Sequence, residues 1–286
     1  MDINYYSPKR KLDCTALYSL DGVLASDIFE IIIEAERLSA MAKLQEDMKF
    51  LSGLSAVLYT ADPCGAKRVA FECAANLLDL RPIVVSAQGY KDCAELKIKI
   101  RAAKNPQLIA KFFDLPNLSE MLPIGSADEM TVNIGERGAV EAIACLYAVK
   151  KEFSRLKDLP VACIEDGDLS SATIAFSKAQ TELTVFSKSE AALSDISDKL
   201  SQFTPVSTSS SVAAAVKNSE VIVFNSNDPE VFSSVMELKK ENAKIIMSTD
   251  SPLFKNLEIA GQDKLSFNAL EATADIISAI LSLVVG

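Results

Sequence analysis

The residues best suited to chemistry form one short run: Pro63, Cys64, Gly65, Ala66, Lys67 and Arg68. An apolar segment at 54–60 precedes it and reads as a buried strand. After it, Val69, Cys73 and Leu77 recur at the spacing of one helix face. The run is therefore a tight turn between a strand and a helix. Such a turn presents backbone N–H groups and the positive end of a helix, which together favour an anion. Lys67 and Arg68 add positive side chains. The same pattern also describes an ordinary strand–helix connection, with Arg68 and Glu72 paired one helical turn apart.

What the chain lacks narrows the chemistry further. Its 286 residues include no histidine. No side chain has an unperturbed pKa near neutrality, so Ser-His-Asp catalysis, Cys-His catalysis and His-bound metals are excluded. Acid–base work would fall to a shifted carboxylate, lysine or cysteine. The six cysteines, at 14, 64, 73, 93, 145 and 163, form no C-x-x-C pair. Neither a metal site nor a cofactor is expected from them. Cys73, Cys145 and Cys163 lie in apolar runs and read as core thiols. A net charge of −10 makes nucleic acid and anionic membranes poor partners. The longest apolar stretch, 276–285, is too short to cross a bilayer. The first residues show no leader pattern, so a reducing, cytoplasmic location is expected.

The elements around the turn alternate between strand and helix. A polar arm over 1–15 leads to a helix over 25–42, with Ile28, Ile31, Ile32, Ala35 and Leu38 at helical spacing. Strands are expected at 54–60, 82–86, 108–113 and 130–134, with a helix at 92–103. A long helix follows at 138–153, with Ala142, Cys145, Leu146 and Val149 on one face. A second series has strands at 160–165, 182–186, 220–225 and 244–248, and helices at 170–179, 189–201 and 229–241. The segment 207–211 reads as a loop and helix start, and an apolar helix at 270–285 closes the chain. This alternation implies an α/β protein with two doubly wound parallel-sheet domains joined by interdomain helices. The turn Asp166-Gly167-Asp168 lacks G-x-G-x-x-G and is a poor dinucleotide site.

Residues 51–72 resemble the aspartate/ornithine carbamoyltransferase family, nearer the ornithine type. The family phrase is S-T-R-T-R-V-S-F-E, which holds carbamoyl phosphate. Here Arg68-Val69-Ala70-Phe71-Glu72 keeps its ending, whereas Cys64, Gly65, Ala66 and Lys67 replace Ser, Thr, Arg and Thr. The family's H-P-x-Q motif falls on Gly138, Ala139, Val140 and Glu141, ahead of a recognisable helix at 142–146. Lys111 matches a ligand arginine at the end of the third strand. In the second half, Asp166-Gly167-Asp168 resembles the family's G-D-G-N phrase. Asn225 falls where an aspartate receives the amino acid, and Ser248 and Thr249 fall in the H-C-L-P loop. The S-M-G phrase has no counterpart, and Thr273 replaces the arginine of Q-x-E-N-R.

The resemblance implies a carbamoyl-phosphate-binding-like domain at 1–136, joined by a returning helix at 268–286. It implies an interdomain helix at 137–153 and an amino-acid-binding-like domain at 154–267. Family catalysis rests on positioned arginines, a histidine and helix-end amides. Here both histidine motifs are lost. Glu141 brings a negative charge to the anion site, costing about 4 kcal/mol per charge pair at 4 Å and an effective dielectric near 20. One expectation is a catalytically silent member, acting as a structural or regulatory subunit in amino-acid or pyrimidine metabolism. It would form a homotrimer or a hetero-oligomer with a complete carbamoyltransferase. The alternatives are a divergent transferase or a binding protein for an amino acid or a small anion. In that case Cys64, Gly65, Ala66, Lys67, Arg68, Lys111 and Arg137 would form an anion pocket for phosphate or a similar ligand. Asn225, Ser248 and Thr249 would lie on the amino-acid side.

Overall fold

A computed structural model describes residues 12–14, 16–46, 48–49, 51–87, 108–115, 130–135, 138–167, 169–247, 253 and 269–285. The chain divides into two compact units, Met1–Glu141 with Leu270–Gly286, and Ala142–Ala269. The helix expected at 92–103 and most of the arm at 1–15 lie outside the described residues.

In the first unit, β1 (Ala16–Leu17), β2 (Ser55–Thr60), β3 (Arg81–Ser86), β4 (Leu108–Asp114) and β5 (Met130–Asn133) form a parallel sheet in the order β1-β5-β4-β2-β3. The interior strand β2, between β4 and β3, is buried at every position, which is why it reads as a largely apolar run. Tyr59 and Phe113 stack across β2 and β4 at 5.2 Å on one face. On the other face, α2 (Ala66–Leu77) packs through Phe71 against Phe112 at 5.3 Å. The edge strand β3 carries Pro82, whose missing N–H blunts strand addition there.

The helix face expected from Val69, Cys73 and Leu77 is not the buried one. Ala70, Phe71, Ala74 and Ala75 face the sheet, while Val69 and Cys73 are exposed. Small alanines let the helix approach closely, so the core side of α2 is its least hydrophobic-looking stripe. Cys73 is therefore not a core thiol, whereas Cys145 and Cys163 are buried.

The second unit begins within α3 (Ala139–Phe153), which is buried over 139–149 except at Glu141 and Ala148. Its sheet has the order β10-β9-β6-β7-β8, all parallel: β6 (Pro160–Ile164), β7 (Glu182–Phe186), β8 (Ser207–Ser209), β9 (Val221–Phe224) and β10 (Lys244–Met247). The segment expected as a loop at 207–211 contains β8, an edge strand held to β7 by its backbone. Its helices are α4 (Ser171–Lys178), α5 (Glu190–Leu200), α6 (Val212–Val216) and α7 (Pro229–Leu238). Each starts on a side-chain cap: Ser170, Ser189, Ser211 and Asp228 accept from backbone N–H groups inside their helices. The cluster of Ile164, Phe186, Ile222, Phe224, Phe232 and Val235 fills one face of the sheet.

The last helix, α8 (Ala269–Val285), belongs to the first unit and is buried from 276 to 283. It docks on α1 (Ala25–Lys43) through a polar contact inside an apolar interface: Ser282 Oγ donates to Glu34 Oε1 at 2.7 Å. Burial holds the Glu34 carboxyl above its ordinary range, against the opposing pull of Ser282 and Arg37. No helix among the described residues is long and apolar enough to cross a membrane. Removing the Ser282 hydroxyl deprives a buried acceptor of a donor, which costs about 1–2 kcal/mol. Ser282→Ala should therefore lower the urea midpoint without changing the slope, and speed hydrogen exchange in α8. An unchanged midpoint would show that the contact contributes nothing.

Candidate functional site

In a parallel sheet, strand ends and helix starts collect along one edge. In the first unit, Thr60, Asp114 and Asn133 lie at that edge, next to the start of α2. Gly65 caps α2 with no side-chain bond of its own. Asp62 closes the turn just ahead of it. Its Oδ1 accepts from the Cys64 N–H at 3.1 Å, and its carbonyl accepts from the Gly65 N–H at 3.2 Å. Its Oδ2 lies 2.7 Å from where a Cβ on Gly65 would stand. A side chain at position 65 would push aside the exposed Asp62 carboxylate, which rests against the helix start. A negative charge at this end of a helix stabilises it by about 0.3–1 kcal/mol.

The cationic side chains are also engaged. Lys67 Nζ lies 3.5 Å from Asp114 Oδ1. Thr60 Oγ1 donates to Asp114 Oδ2 at 3.0 Å and accepts from the Asp62 N–H at 3.0 Å. Arg68 Nε donates to Glu72 at 2.9 Å, and Nη1 donates to the Pro63 carbonyl at 2.6 Å. Arg68 therefore ties the turn to its own helix. Around the turn, Asp62, Asp114 and Glu72 stand against Lys67 and Arg68, so that group carries a net negative charge.

The structure brings Cys64, Gly65, Ala66, Lys67 and Arg68 together but does not bring Lys111 to them. Lys111 is buried three residues before the end of β4, in register with Val57. Strand alternation puts it on the Val57 and Phe113 face, opposite the face that carries Phe112 and α2. Arg137, Ser248 and Thr249 lie outside the described residues.

The position matched to the H-P-x-Q histidine, Gly138, begins the approach to α3. A Cβ there would meet the Gly135 carbonyl oxygen at 2.8 Å and Asn133 Cγ at 2.9 Å. Asn133 is fixed by accepting from the Gly135 N–H at 2.8 Å and donating to the Tyr18 carbonyl at 3.3 Å. This turn holds no side chain without rearranging.

In the second unit, Asn225 stands directly after β9. Its Nδ2 donates to Glu165 Oε1 at 3.2 Å and to Ser170 Oγ at 2.9 Å. Asp166 accepts from the Asn227 N–H at 2.9 Å, which closes the loop after β9. Lys188 and Asp228 pair at the exposed rim; the contact with Lys188 holds the Asp228 carboxyl below its usual range. No group of metal-ligating side chains occurs among the described residues. Sequence reasoning missed Asp62, Asp114 and Glu165. The signal was present: three sheet strands run into an acidic residue, in Thr60-Ala61-Asp62, Phe113-Asp114 and Ile164-Glu165.

No protein-family model matches the sequence, and no curated protein matches it. Solved structures do match. An ornithine carbamoyltransferase from Pyrococcus furiosus superposes with a TM-score of 0.71 at 15% identity, over 97% of each chain. The chain has the carbamoyltransferase fold. An aspartate transcarbamoylase from Trypanosoma cruzi, in complex with N-(phosphonacetyl)-L-aspartic acid, gives 0.71 at 13% identity, over 97% of this chain and 98% of that one. The Trypanosoma enzyme in complex with carbamoyl phosphate and aspartate gives 0.67 at 13%, over 94% and 96%. At such identities the likeness is one of fold: two parallel-sheet α/β domains with their helices.

The carbamoyltransferase fold is kept here with Gly138 packed against backbone. Gly138→Ala should cost about 1–3 kcal/mol through overpacking. Chemical denaturation of the variant checks this, and a loss below about 0.5 kcal/mol, the range of ordinary surface substitutions, would mean the turn relaxes freely.

Proposed function

We propose that this chain is a catalytically silent carbamoyltransferase-fold protein that acts as a structural or regulatory subunit. The observation that carries the reading is the carboxylate of Asp62 at the start of α2, with Lys67 drawn to Asp114. The Trypanosoma relative is recorded with carbamoyl phosphate and with phosphate. In this chain a phosphate at the corresponding turn would meet two carboxylates. Each unfavourable charge pair costs about 4 kcal/mol at close range. A small anion would bind there only weakly, in competition with Asp62. The absence of histidine and the filled space at Gly138 support the same reading. We assign 1–136 with 268–286 to the former phosphate side, 137–153 to the link, and 154–267 to the amino-acid side.

The purified chain, supplied with carbamoyl phosphate and either ornithine or aspartate, should form no citrulline or carbamoyl aspartate above an empty-vector control. Loss of one oxyanion donor alone costs roughly 10²–10³ in rate. Measurable turnover with either amino acid would defeat the proposal.

Assembly is the second part of the proposal: a homotrimer, or a mixed oligomer with a complete carbamoyltransferase. Val69 is 42% exposed on the outward stripe of α2, beside exposed Cys73 and half-buried Leu77. The apolar residues of edge strand β3 are also only half-buried. Pro82 directs any contact there through side chains rather than strand pairing. Sedimentation should show a species of about three chains, alone or on mixing. A strict monomer at micromolar concentration in both settings would sink this part.

A further inference from the structure

Glu165 is a buried ionisable group that the turn in the first unit leaves unexplained. Its backbone fixes it at the sheet edge: the Glu165 N–H donates to Phe186 O at 2.9 Å, and the Asn225 N–H donates to Ile164 O at 2.9 Å. The residue is 2% exposed. Three donors converge on its Oε1: Ser170 Oγ at 2.6 Å, Asn225 Nδ2 at 3.2 Å, and Thr173 Oγ1. Its Oε2 is buried and has no hydrogen-bond partner among the described residues. The groups facing it are Cys163 on β6, Ser170 and Thr173 at α4, and Asn225 after β9, none of them cationic. Burial pushes the carboxyl above its usual range, against the pull of those donors.

The location gives this cluster meaning. From β6 the chain goes to β7 and β8 on one side, and later to β9 and β10 on the other. The crevice between β6 and β9 is the switch point of the sheet, the place where open α/β sheets take ligands. Donors from two elements are aimed at one carboxyl oxygen, beside the start of α4. Leaving them without an acceptor would be costly in such a buried place. A carboxyl group does fill the crevice, and the chain itself supplies it.

We propose that the switch-point crevice of the second unit is a carboxylic-acid site occupied in cis by Glu165. Vacating the side chain turns it into a site for a small monocarboxylic acid, with Ser170, Thr173 and Asn225 as its donors. This rests on the cluster geometry alone, and it stands or falls independently of whether the chain transfers a carbamoyl group.

The test uses the full chain and acetate. Glu165→Ala should lower the Tm by about 5–10 °C, because three buried donors lose their common acceptor and only Asn225 and Ser170 keep a second one, in Ser170 Oγ and Thr173 Oγ1. Acetate should restore at least half of that loss in a concentration-dependent way. It should do so more strongly at about pH 5 than at about pH 8, because the site takes the neutral acid. Chloride and ethylammonium at equal ionic strength should not. The native chain and Glu165→Ala/Asn225→Ala should show no acetate response. A native chain that responds, or a Glu165→Ala chain that ignores acetate or responds equally to chloride, overturns the proposal. Should Glu165→Ala fail to fold, Glu165→Gln decides the matter, since it keeps the acceptor and all three donors. A carboxyl raised by burial gives stability that is complete below its ordinary value and lost as pH rises through the raised one. Glu165→Gln should therefore gain Tm over the native chain at about pH 8, with a flatter pH profile. Glu34 contributes the same background slope to both. Equal profiles would overturn the proposal.

Discussion

A helix that starts at the carboxyl edge of a parallel sheet leaves backbone N–H groups pointing at that edge, with part of a positive charge behind them. Every sheet pairing in both units is parallel, so this demand recurs at each crossover. The protein meets it with its own groups. Ser170 serves α4 beside Glu165 and Asp228 serves α7, while Asp62 closes the turn that leads into α2. Other features follow from those choices. Glycine at position 65 leaves room for the Asp62 carboxylate, and Lys67 is held to Asp114 across the same rim.

The strands and long helices were legible because burial on both sides leaves an unmistakable pattern. Val221, Ile222, Val223 and Phe224 could hardly be anything but an interior strand. The same holds for the closing helix, whose apolar run matches its burial closely. Where the reading failed, the physical cause is specific. The outward stripe of α2 carries Val69 and Cys73, and its inward stripe is largely alanine. Hydrophobicity marks which residues prefer an interior, but close packing on a sheet can select small ones instead. Strand β8 reads Ser-Thr-Ser and pairs only through its backbone, so its side chains carry no sign of it.

The candidate site was half legible. The turn, the clasp of Arg68 on Glu72 and the strand-end placement of Asn225 all follow from spacing. Lys111 shows the limit of matching residues by position, because one step along a strand decides which face a side chain takes. The decisive carboxylates lay just outside the matched motifs. Asp62 is two residues ahead of Cys64, and Glu165 is one ahead of Asp166. A motif directs attention to its own positions, whereas these acids are set by the strand ends and turns beside them.

The occupancy of the turn by Asp62 also has a kinetic side. A group tethered two residues from the amide it binds has an effective concentration of millimolar or more, set by the chain and not by the cell. It cannot diffuse away, and its re-binding is immediate on the timescale of any incoming solute. A solute that competes for the Cys64 amide must therefore exceed that local concentration before it displaces Asp62. A carboxylate built in this way sets the concentration scale on which any outside anion has to compete.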